Sequence, residues 1–136
     1  MQFKNLLSAA IPLFAAVAPV MAGDCYPGGM KFEDIADETQ TTEAMWTICD
    51  HLNGVYENQH GHKNAKVGRD CYDVNEHSLE ATVQYIFDPS VETGNLTLIE
   101  CFEELQWIRG ACDKGGKFKS ASSFFFRFDP QDEPCQ

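Results

Sequence analysis

A phosphodiesterase that works without a metal needs a base, an acid and a cation to hold the phosphate. His77, Glu80 and Arg127 supply those residue types on or beside predicted strands. Any domain of this size contains such a trio. No recognisable catalytic motif surrounds this one, and no serine stands in a nucleophile elbow. The chain therefore reads as non-enzymatic with no catalytic residues, and a small secreted ribonuclease is the weakest of three functional expectations.

Metal chemistry has little more to build on. His60 and His62, beside Asn58 and Gln59, make half a site and lack a spaced third ligand. His51 and His77 lie far off in sequence. The His60–His62 segment reads as a solvated polar loop, and neither a metal nor another cofactor is expected. The six cysteines, Cys25, Cys49, Cys71, Cys101, Cys112 and Cys135, are all more than ten residues apart, which excludes the close Cys-x-x-Cys pairs of a zinc site. An even number of cysteines in a small exported domain reads as three disulfides, which can pair in about 15 ways that spacing does not rank. Bridging also removes any free thiol nucleophile. Asn95-Leu96-Thr97 is an acceptor for N-glycosylation.

Aromatic residues near polar loops suggest binding instead. Trp46, Tyr56, Tyr72, Trp107 and Phe125, with Asp, Asn and His as hydrogen-bonding partners, suit sugar rings, which have an apolar face and a polar rim. The expectation belongs to the set, since any one of these rings equally covers the edge of a core.

Residues 1–22 read as a secretory leader. Lys4 gives the positive start, residues 6–20 are apolar apart from Ser8, Pro12 and Pro19, and Val20-Met21-Ala22 predicts cleavage before Gly23. A spanning helix needs about 20 unbroken apolar residues, and no other stretch supplies them, so no membrane insertion is expected. The exported domain would be residues 23–136, one domain of 136 − 22 = 114 residues. Loss of Lys4 takes the net charge from −11 to −12. Such a charge repels nucleic-acid phosphates and anionic lipid, so no nucleic-acid partner is expected.

The elements that would position these residues follow from periodicity. Residues 24–40 look irregular, with a short strand or contact at 30–32. The spacing of Met45, Ile48, Cys49 and Leu52 predicts a helix over 41–52, capped by Thr41 or Thr42, edged by Trp46 and stopped at Gly54. Residues 55–68 read as a loop. Strands are predicted over 66–74 and 78–87, joined by a turn at 75–77. Thr97-Leu98-Ile99-Glu100 is a capping box opening a second helix over 98–109 that ends at Gly110. Residues 113–120 read as a loop. A last strand over 122–128 puts Phe124, Phe126 and Phe128 on one face and Phe125 and Arg127 on the other, with Pro130 and Pro134 ending it. The fold class expected is α+β: a two-layer α/β sandwich of two helices on a small antiparallel sheet, with three disulfides.

The final third of the chain carries a resemblance. Glu100-Cys101-Phe102-x-x-Leu105-Gln106, then Gly110-Ala111-Cys112-Asp113-Lys114-Gly115-Gly116, an aromatic strand and Phe128-Asp129-Pro130 before Cys135 resemble the small secreted fungal proteins grouped as Y-three-like, after a glycan-binding mushroom protein. Ala111 separates Gly110 from Cys112, where the family has them adjacent. The resemblance implies a secreted disulfide-bonded α/β domain and glycan binding. It matches structural positions, Cys101, Cys112, Gly115, Gly116, Asp129, Pro130 and Cys135, and no sugar-contacting residue. Gly115 and Gly116 are expected to permit positive φ before the last strand. The leading expectation is a secreted, lectin-like binding protein whose partner is an extracellular glycan. The alternative is an effector or toxin acting on a host or competitor surface protein. Oligomeric state is left open.

Overall fold

The computed structural model describes residues 23–57, 66–86 and 92–136. The expected leader (residues 1–22), the His60–His62 segment and Phe87 with the Asp88-Pro89 strand end lie outside those residues. In chain order the elements are β1 (Gly23–Cys25), α1 (Phe32–Ile35), α2 (Glu38–Leu52), β2 (Gly54–Glu57), β3 (Gly68–Val74), β4 (His77–Tyr85), β5 (Thr93–Leu96), α3 (Leu98–Ala111), β6 (Gly116–Lys119) and β7 (Phe124–Gln131).

Strict alternation in β4 and β7 decides the architecture. Leu79, Ala81, Val83 and Tyr85 fall on one side of β4, and Phe124, Phe126 and Phe128 on the matching side of β7, all buried. With both strands in the centre, a five-stranded antiparallel sheet forms in the order β1-β6-β7-β4-β3. Helices α2 and α3 lie side by side on its apolar face, α2 over β3 and β4, α3 over β6 and β7. Met45, Ile48, Leu105 and Ile108 come down from the helices to meet Leu79, Val83, Phe126 and Phe128, and none exceeds 1% exposure. The α+β class, the two main helices on an antiparallel sheet and the three disulfides are all present, and a third short helix, α1, seats Phe32 and Ile35 in the same core.

The helix starts differ from expectation. Asp37, not a threonine, caps α2: its carboxylate accepts from Gln40 N at 2.8 Å, while Asp37 N donates to Gln40 Oε1 at 3.0 Å, a full capping box. Thr41 is buried inside the helix and its hydroxyl donates to Asp37 O at 2.8 Å. The first turn, Glu38-Thr39-Gln40, has no apolar residue, so hydrophobic periodicity begins a turn late. Thr97 caps α3 as expected, accepting from Glu100 N at 3.1 Å, but the Glu100 carboxylate accepts instead from Ser122 Oγ. The helix passes through Gly110 to Ala111.

Two expected loops hold strands. β2, which starts at Gly54 and runs into the expected loop 55–68, pairs with β5 from Gly54↔Leu96 to Glu57↔Thr93 in a separate two-stranded ribbon. β6, inside 113–120, joins β1 to β7. At four residues each, both are too short for a period of two to show. The irregular stretch after Gly23 likewise starts with β1. The turn between β3 and β4 is two residues, since Val74 pairs with His77; Asn75 takes φ 57°, a left-handed conformation that asparagine tolerates. Pro130 lies within β7, beyond the last residue paired with β6, on a stretch with an open edge where a missing N–H is tolerated.

The bridges are Cys25–Cys112, Cys49–Cys101 and Cys71–Cys135. The first ties β1 to the end of α3, and the third ties β3 to the C-terminal tail. The central one joins α2 to α3.

Candidate functional site

Among the described residues, no helix lies on the sheet's second face. Along β4 it presents Glu80, Thr82 and Gln84, and register extends each into a row across the strands. Thr82 lies between Arg69 on β3 and Arg127 on β7; Arg127 pairs with Lys117, and Lys117 with Asp24. Glu80 lies between Cys71 and Asp129, and Gln84 beside Phe125, which in turn pairs with Lys119. One end of this face is covered by the tail, where Ser78 Oγ donates to Glu133 O at 2.7 Å and Cys135 N to Asp73 Oδ1 at 2.7 Å.

At the β7 end a groove of about 540 Å³ opens between the segment after β1 and residues 129–132. Tyr26, Met30 and Pro130 give it apolar walls, and Asp129, Gln131 and Asp132 supply polar groups. Gly28 and Gly29 form its rim, with open space where a Cβ would stand. Tyr26 is held by its backbone N–H, which donates to Gly115 O at 2.9 Å. Gln131 Nε2 donates to Asp129 Oδ2 at 2.6 Å and fixes that carboxylate. Partial burial, aided by the neighbouring Glu80 charge, raises the Asp129 pKa against the opposing pull of the Gln131 hydrogen bond and the Arg127 charge. Burial also raises the Tyr26 phenol, so it stays a hydroxyl donor at neutral pH.

The ribonuclease trio is divided by the sheet. Glu80 and Arg127 share the open face, but His77 pairs with the buried Val74 and follows the opposite, helix-side alternation. Its Nδ1 lies 3.0 Å from Asp132 O. Glu80 is engaged by Arg69 at 2.7 Å.

The proposed aromatic set is dispersed as well. Tyr56 is completely buried and its hydroxyl donates to Leu52 O at 2.6 Å. Tyr72 packs against the core edge. Trp46 stacks on Phe102 across the two helices, with ring centroids 3.9 Å apart, and Trp107 packs edge-on against Phe118. Phe125 alone of the five lies on the open sheet face. Sequence reasoning missed Tyr26, Met30 and Gln131. The Gly28-Gly29 pair after Cys25 and Tyr26 was the available signal, since two adjacent glycines mark a turn that keeps a surface open. Asn95 is exposed on β5. Among the described residues no group of three His, Cys, Asp or Glu side chains could hold a metal ion, and no helix is long and apolar enough to cross a membrane.

Compared with known proteins, the chain matches no family model, and no curated protein matches it significantly.

Asp129 has counterparts on α3. Burial raises Glu100, against the lowering pull of its hydrogen bond at Thr97, and raises Glu104; neighbouring glutamates add to both, and Glu104 Oε2 is buried with no hydrogen-bond partner among the described residues. A carboxyl whose pKa is higher folded than unfolded binds its proton more tightly in the native state. Its contribution is fully present below the ordinary values, 4.5 for glutamate and 3.8 for aspartate, and is lost as pH rises through the raised ones. The melting temperature is therefore expected to be higher at about pH 4.5 than at about pH 7.5. Glu104→Gln should flatten that difference, which calorimetry across the range measures.

Proposed function

We propose that this chain is an exported, non-enzymatic saccharide-binding protein whose ligand sits in the groove beside Tyr26. The observation that carries the reading is the composition of that groove. A tyrosine, a methionine and a proline offer apolar surface to one side of a sugar ring, while Asp129, Gln131 and Asp132 offer acceptors and an amide to its hydroxyls. At about 540 Å³ it falls within the ordinary range of ligand sites, about 300–1,000 Å³. The resemblance in the α3–β7 region supports the same class, and Asp129 and Pro130, among its matched positions, belong to the groove. Three disulfides suit an oxidising compartment and so accord with the leader expected at residues 1–22.

The test is a broad glycan array followed by calorimetry on any ligand found. Tyr26→Ala and Asp129→Asn are each expected to weaken binding by about ten-fold, the loss of one charge-assisted hydrogen bond or one aromatic contact. Silence across the array overturns the proposal.

A second reading, action on a partner's protein surface, is favoured by the helical layer. Trp46 is 38% exposed on its Phe102 stack, and Ile99, one turn from Phe102, is 56% exposed. Target binding that survives the groove variants but is lost in Trp46→Ala would decide for it.

A further inference from the structure

The distribution of cations does not follow the charge of the protein. With a net charge of −11, the chain still places Arg69, Lys117, Lys119 and Arg127 on one open sheet face, four of the eight cations among its described residues. Lys117 and Arg127 are directly opposite on adjacent strands, with Cβ atoms about 5 Å apart, where like charges cost stability. Arg69 is neutralised by Glu80 at 2.7 Å. Lys117, Lys119 and Arg127 form no ion pair within 4.0 Å among the described residues, although Asp24 stands directly opposite Lys117 and Asp129 two residues beyond Arg127 on β7. An antiparallel sheet has many ways to avoid facing two cations across a ladder. An anion between them removes the repulsion and takes donors from both.

Arg127 precedes Asp129 by one outward step on β7, so this cation pair borders the groove wall; the Arg127 charge is felt by both Asp129 and the Tyr26 hydroxyl. We infer that the saccharide held in the groove carries a carboxylate, which Arg127 and Lys117 clamp at the adjoining end of the sheet face. This rests on the saccharide reading and adds the class of sugar. The acidic field of the whole molecule argues against a denser polyanion. It penalises a ligand with a charge at every repeat, such as RNA or a heavily sulfated chain, far more than one with a single carboxylate. A guanidinium also matches the two oxygens of a carboxylate in a bidentate fork.

The experiment compares an oligosaccharide carrying one uronic-acid residue with its methyl ester, which keeps shape and hydroxyls but loses the charge. Calorimetry with the exported protein is expected to show the acid binding at least about ten-fold more tightly than the ester, and weakening as salt is raised. Arg127→Gln and Lys117→Gln should each lower affinity for the acid by about ten-fold and leave the ester unaffected. Arg109→Gln, on α3 and away from the open face, should change neither. Melting curves check that each variant is folded.

Equal binding of acid and ester, with Tyr26→Ala still weakening both, overturns the carboxylate clamp while keeping the saccharide site. Failure of both to bind, with neutral glycans also silent, removes the saccharide reading itself. Tighter binding of poly(U) RNA or heparin, lost in the same two glutamine variants, overturns the inference in favour of a polyanion track.

Discussion

Replacing Cys49 and Cys101 together by alanine is expected to lower stability by about 5 kcal/mol, a large share of what a domain of this size has in total. Two effects add. The bridge spans 52 residues, and releasing a loop of that length returns about 4 kcal/mol of conformational entropy to the unfolded chain. Both cysteines are fully buried between α2 and α3, so removing two sulfurs also leaves a void that the helices must close upon. The comparison with Cys71–Cys135 separates the two. That bridge spans 64 residues, and the entropic contributions differ by only about 0.2 kcal/mol. Yet it joins β3 to the tail at the surface, with neither cysteine fully buried. Urea unfolding should therefore rank the central pair as costlier by about 1–2 kcal/mol. Equal losses from the two pairs would mean that burial at the α2–α3 seam contributes nothing.

Much of this arrangement was legible because it rests on long, strongly patterned segments. The nine residues of β4 alternate without a break, and the three phenylalanines of β7 do the same, so the sheet's apolar face and its partner helices follow from spacing alone. What escaped was short or determined by distant contacts. β2 and β6 exist because β5 and β7 supply partners for them, and four residues cannot announce that locally. Tyr56 looked like a surface aromatic in a polar run but is drawn inward, where Lys66 lies over its ring at 5.1 Å. The groove was illegible for the same reason. Tyr26 and Asp129 are about a hundred residues apart in sequence, and the pairing of β1 with β6 and of β6 with β7, with the Cys25–Cys112 bridge, brings their segments together. Register also explains why His77 and Glu80, three residues apart on one strand, cannot serve one site: an odd separation sends them to opposite faces.

That same junction makes Gly115 a sensitive backbone position, where a positive φ and a backbone obstacle coincide. It adopts φ +81°, and a Cβ there would stand 2.4 Å from Phe128 O and 3.0 Å from Asp129 Cα. Both obstacles are β7 backbone in the middle of the ladder, so neither can turn aside as a side-chain tip would. Gly116, also expected to need positive φ, does not; it is confined by the closeness of Asp24 O, 2.7 Å from its would-be Cβ. Gly115→Ala combines the cost of a left-handed alanine, about 1–2 kcal/mol, with that of overpacking, about 1–3 kcal/mol, for an expected loss of about 3 kcal/mol. Gly110→Ala is the opposite case. Its Cβ would meet nothing within 4 Å, and the residue lies in the last turn of α3, where alanine is the better helix former by about 1 kcal/mol. One glycine-to-alanine change should thus destabilise and the other stabilise, five residues apart. If the groove holds a saccharide as proposed, the first should also weaken its binding, because Gly115 O receives the Tyr26 amide at 2.9 Å and any shift of β6 away from β7 carries Tyr26 off the groove wall. Paired melts of the two variants, with calorimetry on Gly115→Ala, measure both effects. A Gly115→Ala protein of unchanged melting temperature would show that the β6–β7 junction yields at little cost, and the groove's shape would then not depend on it.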